Sequence, residues 1–412
     1  MAASIPWELG VYDAHCHPTD TMAAIATVAS MKARTLTIMA TRSSDQELVA
    51  AVARSQPRSK IVPSFGFHPW FAHLIYDDGG GGPAHPADEA ELKRRHYSAV
   101  LVPPPDADLV RQLPAPQPLS QALGGMRAHL EEFPHALVGE IGLDRGFRLP
   151  FPDSSDPSDS APAPRRLSPH RVSIDHQKRV FTAQLQLAGA LSRAVSVHGV
   201  QCHGVLFETF RDLWRGHELP RERRKDARRR RRRRRSGDGH EYLPDMCDSD
   251  DSGDAEDSSG AAGAAGAGAG GAGAGAASGD HQHARPFPPR ICLHSFSAPL
   301  ETLRQYLSPP GPTTLCPSQL FFSFSTTINA RPQKGHLARI AETIAAVPDD
   351  CVLVESDLHT AGDEADEALA DALLFVTGVK EWEVGRGVRQ LGRNWRRFVY
   401  GDDDDGGDVV AL

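Results

Sequence analysis

Cysteine is scarce in this sequence: six residues occur among 412, and no two of them form a CxxC pair. Scattered thiols argue against a zinc knuckle or a disulfide framework and favour a reducing compartment. No apolar run approaches the about 20 residues that span a bilayer, and the N-terminus shows no basic segment followed by an apolar one. We therefore expect no membrane span and no secretory signal, and we place the protein in the cytoplasm, the nucleus or both.

Strong positive charge is confined to one segment of the chain. Residues 221–235 carry twelve basic and two acidic side chains, whereas residues 238–257 carry nine acidic side chains and no Lys or Arg. The formal net charge is −8, so the remainder of the chain is acidic. This argues against a broadly electrostatic nucleic-acid binder. The arginine run is read as a nuclear-localisation segment, a phosphate-binding arm or a composition-biased expansion.

Three stretches have a composition typical of loops. Residues 77–118 are rich in Gly and Pro, residues 149–169 in Pro, Ser and Asp, and residues 216–289 combine the two charge runs with a Gly/Ala tract. Such segments bury too little apolar surface to offset the entropy of ordering. We expect insertions in a single domain spanning residues 1–412, the last insertion being largely disordered. Histidines near them, including His73 and His96, are expected at the surface.

Short apolar runs alternate with helical patterns in the rest of the chain. The predicted strands are 10–15, 35–40, 61–66, 136–142, 194–198, 290–294, 319–325 and 351–356. The predicted helices are 45–55, 173–193, 298–307, 335–346, 363–376 and 387–399. Asp45 is read as the cap of the first helix. Several strands are near-continuously apolar, as in a sheet covered on both faces, so we predict an α/β fold, a (β/α)8 TIM barrel.

The stretch GVYDAHCHPTD ends the first predicted strand with two histidines one residue apart. Alternate side chains of a strand point to the same side, so His15 and His17 share a face and Cys16 points to the other. Two imidazoles on one face, beside Asp13, can chelate a metal ion. A surface or capping pair is the alternative reading of this stretch alone.

Further metal-capable side chains fall in or directly after other predicted strands. They are His68, Glu140, His198, His294 and Asp357. Because the C-terminal ends of barrel strands meet at one mouth, where barrel enzymes carry their chemistry, we expect these groups to converge. Imidazole and carboxylate without thiolate suit Zn²⁺, Mn²⁺ or Mg²⁺. Four histidines with two acids exceed the need of one ion, so we predict two divalent ions that share a carboxylate and activate water for phosphoryl displacement.

Seven ordered motifs resemble the TatD family of metal-dependent deoxyribonucleases, a group of amidohydrolase-like barrels. The matching stretches are DAHCHPTD, GFHPW, VGEIGLD, VSVHG, CLHSFSAPLE, LVESDLHTAG and LGRNWRRFV. The resemblance runs from the first strand to the C-terminal helix, interrupted by the three insertions. It implies hydrolysis of DNA phosphodiester bonds.

The same resemblance implies a role for each side chain. One ion would be held by His15, His17, Glu140 and Asp357. The other would be held by Glu140, His198 and His294. Asp357 would also orient or deprotonate the nucleophilic water, and His68 would contact the substrate phosphate.

Some stretches depart from the usual family pattern. GVQCHG stands where a Ser-Arg pair is usual, and ESDLH replaces T-D-S-P. His203 is either a substitute for that arginine or a loop histidine, and His359 is either an extra group behind the ligands or a solvent-facing one. The departures resemble the fungal branch of the family, one of whose members is named for binding an anaphase-promoting-complex subunit. Such a cell-cycle subunit is therefore a candidate partner beside DNA.

Two other functions compete with a nuclease. Small-molecule esterases and lactonases of related barrels usually carry a carbamylated Lys in strand four, where this chain has Glu140. A non-catalytic adaptor would not need the full set of ligands. Three further residues keep two readings each. Asp13 either supports a ligand histidine or faces solvent, Asp144 is a loop or cap residue rather than a ligand, and Trp70 either stacks on a base or packs in the core.

Overall fold

Eight parallel strands form the central sheet of the computed structural model, which describes residues 4–79, 88–151, 166–220, 285–308, 311, 314–329 and 336–402. The strands are β1 Tyr12–Cys16, β2 Thr35–Met39, β3 Ile61–Phe65, β4 Leu137–Asp144, β5 Val195–Val200, β6 Arg290–Leu293, β7 Gln319–Phe324 and β8 Val352–Val354. Each is hydrogen-bonded to the next in chain order. All eight predicted strands are confirmed, with ends that differ by at most two residues.

The first and last strands meet through hydrogen bonds just beyond their C-terminal ends. The Asp357 N–H donates to the His15 carbonyl at 3.0 Å, and the His17 N–H donates to the Leu358 carbonyl at 2.8 Å. These contacts curl the sheet into a nearly closed barrel. They also bring two of the predicted ligand-bearing segments, around His15 and Asp357, side by side.

Helices follow the strands and cover the outer face of the barrel. They are α1 Ser43–Ser55, α2 Glu89–Val100, α3 Ala107–Gln112, α4 Leu119–Glu132, α5 Ile174–Ala190, α6 His203–Trp214, α7 Leu300–Leu307, α8 Thr326–Asn329, α9 His336–Ala346, α10 Asp363–Val379 and α11 Val384–Tyr400. Short 3-10 segments are Trp7–Leu9, Pro18–Ser30 and Pro69–Leu74. Two-residue strands pair Ile75–Tyr76 with Gln117–Pro118, Leu101–Val102 with Arg171–Val172, and Leu219–Pro220 with Thr314–Leu315. The predicted (β/α)8 TIM barrel is confirmed, and no helix in the described residues is both long and apolar enough to cross a membrane.

The prediction of a loop over residues 77–118 is wrong, because helices α2 and α3 lie within this stretch. The Asp88 carboxylate accepts from two N–H groups of the first turn of α2, and Asp106 accepts from the Leu109 N–H at 2.8 Å. The helices are anchored by apolar side chains such as Tyr97, which is fully buried. Capping and a few buried side chains outweigh the Gly/Pro-rich composition. Residues 152–165 and 221–284, which hold most of the other two expected insertions, lie outside the described residues.

The cap of α1 was predicted wrongly, and helix α6 was not predicted. Asp45 is not the cap of α1, since the helix begins at Ser43 and the Asp45 carboxylate instead accepts from the Thr41 hydroxyl and from Arg42 Nε. Helix α6 follows β5 without having been predicted, although its Phe210 and Trp214 are buried.

Helix α11 closes the N-terminal end of the barrel. The Trp395 indole stacks on Tyr12 at the start of β1, with ring centroids 4.5 Å apart. Its Nε1 donates to the Thr37 hydroxyl at 3.1 Å, and the Arg290 guanidinium donates to the Phe398 carbonyl at 2.7 Å. The side chains of this end form an apolar cluster that is separate from the larger core between strands and helices.

Replacing Trp395 should therefore weaken the whole barrel. Trp395→Ala removes a fully buried indole, and we expect it to lower the free energy of unfolding by about 3–5 kcal/mol. The matched control is Arg393→Ala at an exposed position of α11, with an expected change within about 0.5 kcal/mol. Urea denaturation followed by circular dichroism measures both. Equal midpoints for the two variants would contradict the closing role of α11.

His73 and His96, which were expected at the surface, are in fact buried. His96 Nε2 donates to the His73 carbonyl at 2.8 Å, and His176 Nε2 donates to the Ala72 carbonyl at 2.9 Å. Burial lowers the pKa of His73 to about 3 and that of His96 to about 4. These imidazoles are therefore neutral in the folded protein at neutral pH.

The His96 shift predicts acid destabilisation. Its pKa is lower in the folded than in the unfolded state, so its stabilising contribution is complete above about pH 6.5 and is lost as the pH falls towards 4. His96→Gln keeps an N–H donor for the His73 carbonyl but does not titrate. Between pH 7 and pH 4 this variant should lose up to about 3 kcal/mol less stability than the wild type. Denaturation series across pH test this, with exposed His217→Gln retaining the wild-type pH dependence.

Candidate metal centre

His15 of β1 and His17, which follows the strand, converge at the C-terminal mouth of the barrel. His15 Nε2 and His17 Nε2 lie 3.0 Å apart, and both residues are buried. Cys16 points the other way, where its Sγ donates to the Thr37 carbonyl at 3.5 Å. The alternation predicted for this strand is therefore present, and both imidazoles reach the same space.

Glu140 of β4 lies at the centre of the mouth. Its Oε1 is 2.9 Å from His198 Nδ1, 2.9 Å from His294 Nε2 and 3.1 Å from His68 Nε2. These three imidazoles come from the ends of β5 and β6 and from the segment after β3. One carboxylate oxygen thus contacts side chains from three different strand ends.

The other carboxylate oxygen faces the first and last strands. Glu140 Oε2 is 3.3 Å from His17 Nε2 and 3.6 Å from His15 Nε2. Asp357 Oδ1 completes this side, at 3.8 Å from His15 Nε2 and 3.9 Å from His17 Nε2. All seven predicted site residues therefore meet in one place.

The donor set fits divalent cations. Three groups within the described residues have ligand atoms that lie within 4.8 Å of one another: His15, His17 and Asp357; His15, Glu140 and His294; and His68, Glu140 and His198. Donors that share an ion at about 2.0–2.2 Å lie about 3–3.5 Å apart, close to the distances found here. Imidazole nitrogen with carboxylate oxygen is a ligand set suited to zinc or manganese.

The imidazoles control the charge of the central carboxylate. Burial alone raises the pKa of Glu140, but the nearby His68 and His294 outweigh it and hold the pKa well below its usual value. Burial likewise raises the pKa of Asp357, and the facing His15 and His17 reverse that effect. Both carboxylates are therefore ionised at neutral pH, as cation ligands must be.

Four of these histidines divide into two neutral and two charged imidazoles at neutral pH. Burial, reinforced by His294, lowers the pKa of His15 to about 3, and burial lowers that of His68 to about 4. Burial also lowers the pKa of His17 and of His198, but nearby carboxylates outweigh it. Glu140 raises the pKa of His17 to about 9, and Asp144 with Glu140 raises that of His198 to about 9.

A hydrogen bond from the backbone of Trp70 fixes the tautomer of His68. The Trp70 N–H donates to His68 Nδ1 at 3.2 Å, so the ring proton of this neutral imidazole lies on Nε2. That nitrogen faces Glu140 and is a hydrogen-bond donor. A donor suits contact with a phosphate oxygen better than it suits a cation ligand.

A second layer of side chains orients the ligand imidazoles. The Ser196 hydroxyl lies 3.0 Å from His15 Nδ1 and 3.2 Å from His294 Nδ1, which leaves the Nε2 atoms free to face the centre. Asp144 Oδ2 lies 3.2 Å from His198 Nε2. Sequence reasoning missed Ser196, although its place two residues before His198 on the same face of β5 was an available signal.

The structure shows the contacts of Asp144 and Asp13, the two acids with alternative interpretations in the sequence. Asp144 accepts from the Gly146 and Phe147 N–H groups at 2.6 and 2.9 Å, so it caps its loop and contacts His198 at once. Asp13 is buried, accepts from the His15 N–H at 3.1 Å and accepts from the Ser356 hydroxyl at 2.5 Å. The solvent-facing reading of Asp13 is wrong, because this carboxylate joins β1 to the end of β8.

A buried glutamate beneath the mouth was not predicted. Glu355 Oε1 accepts from the Ser295 N–H at 2.8 Å and lies 2.5 Å from the Ser295 hydroxyl, and Oε2 contacts the Ser323 hydroxyl. Burial and the charge of Asp357 raise the pKa of Glu355 well above its usual value. The Ser295 hydroxyl also lies 2.9 Å from Asp357 Oδ2. A neutral Glu355 thus supports an ionised Asp357 through one shared hydroxyl.

Comparison with known families agrees with this geometry. The family model described as TatD related DNase matches residues 12–367 of the chain. The chain belongs to the TatD-related DNase family. Membership places it among metal-dependent hydrolases and confirms the resemblance found in its motifs.

Individual relatives of this family cover different shares of the chain. It is 33% identical over 389 residues to Cut9-interacting protein scn1 of Schizosaccharomyces pombe, a match that covers 94% of this chain and 98% of that protein. It is 32% identical over 156 residues to an uncharacterized deoxyribonuclease of Saccharomyces cerevisiae, covering 37% of this chain and 44% of that protein. The solved structure of a TatD family hydrolase from Entamoeba histolytica matches with a TM-score of 0.51 at 10% identity. That match covers 95% of this chain and 98% of that one, and it supports the fold alone.

The structure also shows the surroundings of His203 and His359, two residues in stretches that depart from the TatD pattern. His203 is the first residue of α6, not a loop residue, and its Nδ1 lies 3.3 Å from the Tyr306 hydroxyl. His359 stacks on the ring of His17 at 5.1 Å, and its Nδ1 lies 2.6 Å from Asp20 Oδ2. His359 is thus largely exposed yet fixed against a ligand imidazole.

Binding of a divalent cation should stabilise this TatD-related protein. A cation at 100 times its dissociation constant adds about 2.7 kcal/mol to the free energy of unfolding. We expect Mn²⁺ or Zn²⁺ to raise the melting temperature of the wild type, and His198→Ala to lose most of this gain. Exposed His217→Ala is the control and should respond like the wild type. Equal responses of all three proteins, in thermal melts and in calorimetric titration, would exclude a cation site at this mouth.

Proposed function

We propose that this protein hydrolyses DNA phosphodiester bonds with two divalent cations at the barrel mouth. The observation that carries the proposal is the position of Glu140, whose two carboxylate oxygens face two different sets of donors. A carboxylate shared in this way suits a pair of ions. Paired divalent cations, when bound, supply Lewis-acid activation of water and stabilise charge on the attacking and leaving oxygens.

The proposed ligands follow the two sides of Glu140. His15, His17, Asp357 and Glu140 would hold one cation. His198, His294 and Glu140 would hold the other. His15 and His294 are stacked with ring centroids 3.9 Å apart, so the two sets are adjacent.

Asp357 is the proposed general base. Its Oδ1 faces the ligand histidines and its Oδ2 accepts from the Ser295 hydroxyl at 2.9 Å, which holds the carboxylate in place. Ionised at neutral pH, it can take a proton from a water at the mouth. His68, which carries its proton on Nε2, would donate to a phosphate oxygen of the substrate.

Substitution of Glu140 tests the proposal. Glu140→Gln keeps the shape of the side chain but removes the charge shared by both sets of donors. Loss of a residue that only hydrogen-bonds a metal ligand lowers activity by up to about 100-fold. Because Glu140 is a proposed ligand itself, we expect the rate of DNA cleavage to fall by more than that. The readout is cleavage of single- and double-stranded DNA with Mg²⁺, Mn²⁺ and Zn²⁺. The same substitution at exposed Glu131 is the matched control and should leave the rate unchanged. Wild-type protein that cleaves neither DNA with any of the three cations would overturn the proposal.

A second candidate function is binding to a cell-cycle complex. It is favoured by the identity of 33% over nearly the whole chain to a protein named for its interaction with Cut9. Both functions can reside in one chain, since the ligand set is complete. An esterase or lactonase is less well supported, because β4 reads LVGEIGLD and offers no lysine for carbamylation. The proposed location in the cytoplasm or nucleus follows from these substrates and partners.

A further inference from the structure

We propose that the outward-facing arginines of α11 form a docking surface for an acidic segment of a partner protein. This surface, called the arginine stripe below, consists of Arg386, Arg389, Arg393 and Arg396. Helix α11 closes the N-terminal end of the barrel, so the inference does not depend on the metal centre or on the proposed nuclease. A partner held at this end would leave the C-terminal mouth open to substrate.

Helical spacing places the four arginines of the stripe in one row. They follow one another at steps of three, four and three residues, which keeps them on the same side of the helix. All are exposed except the half-buried Arg396, whereas Leu391 and Trp395 on the other side of α11 are buried. At a rise of about 1.5 Å per residue the row is about 15 Å long. An extended peptide of about five residues has the same length.

The positive charge of the stripe is not neutralised by the part of the chain that the structure describes. None of the four guanidinium groups forms an ion pair with Asp or Glu there, whereas Arg397 of the same helix pairs with Asp350 and Asp402 at 3.0 and 2.7 Å. Glu383, whose charge acts on Arg389 without an ion pair, accepts from two N–H groups of the first turn at 2.8 Å each. The stripe can therefore bind carboxylates from another molecule.

Neutral partners hold the two ends of the stripe in place. Arg386 Cζ lies 5.9 Å from the centroid of the Trp382 ring, and Arg396 Nη1 donates to the Tyr12 hydroxyl at 2.9 Å. A ring or a hydroxyl positions a guanidinium group without cancelling its charge. Because the side chains are already ordered, less conformational entropy is lost when carboxylates bind them. Guanidinium also matches a carboxylate in geometry, since two parallel N–H groups can donate to its two oxygens.

An acidic protein segment fits this surface better than DNA does. The chain has a formal net charge of −8, so it repels an extended polyanion except where basic side chains are concentrated. The stripe is one short row on a single helix, which suits a few carboxylates in sequence. DNA bound as a substrate would occupy the opposite end of the barrel.

Peptide binding followed by fluorescence anisotropy tests the stripe. The probe is a fluorescein-labelled peptide in which Ser alternates with Asp or Glu, beside the same peptide with Asn and Gln in place of the acids. The combined variant Arg386→Gln, Arg389→Gln and Arg393→Gln should bind the acidic peptide about 10-fold more weakly than the wild type at low salt. Binding of the amide peptide should not change. The melting temperature and the rate of DNA cleavage should also stay at the wild-type values.

A matched control removes the same amount of charge from three other helices. Its substitutions, at exposed positions of α5, α6 and α7, are Arg179→Gln, Arg211→Gln and Arg304→Gln. This control should bind the acidic peptide like the wild type. Equal affinities of the stripe variant and the control would overturn the proposal, because net charge alone would then explain the binding.

Other basic and acidic segments of the chain are tested in the same assay. Residues 221–235 carry twelve basic side chains and attract acids as well, so every measurement is repeated on the full chain with Gln at those positions. The loss caused by the stripe variant should persist there. DNA of equal charge that binds this chain more tightly than the peptide, and loses that binding in the stripe variant, would overturn the proposal in favour of nucleic acid. Peptide binding that appears only after Asp403, Asp404 and Asp405 are replaced by Asn would identify the C-terminal acids as the occupant and overturn it too.

Discussion

The buried carboxylate of Glu140 is the group on which the rest of the site depends. A lone carboxylate removed from water is costly, and here the cost is offset by imidazoles from four strand ends. The same contacts require those strand ends to meet at one point. The barrel and the site are thus coupled, because the strands that build the sheet also bring its charges together.

A second constraint lies one layer deeper. Ser196 engages the far nitrogens of His15 and His294, Asp144 contacts His198, and Glu355 supports Asp357 through Ser295. These partners determine which nitrogen or oxygen faces the centre. A ligand set without them would have the right residues but not the right orientation.

The family match and the geometry of the site bear on different levels of the function. The family match makes the protein a metal-dependent hydrolase, and the divided surroundings of Glu140 are the basis for proposing two cations. The Trp70 and Phe147 rings stack beside the mouth.

The sequence by itself determined the order of the strands and the set of candidate ligand residues, because apolar runs and strand-end histidines are local patterns. Alternation placed His15 and His17 on one face of the strand, and the other metal-capable groups at strand ends favoured a metal site there. Helices α2 and α6 were not predicted. In α2 a cap and a buried ring outweigh a composition typical of loops. Ser196, Glu355 and the Trp70–Phe147 stack were decided only by tertiary structure. Their roles depend on contacts between segments far apart in the chain, which no local pattern encodes.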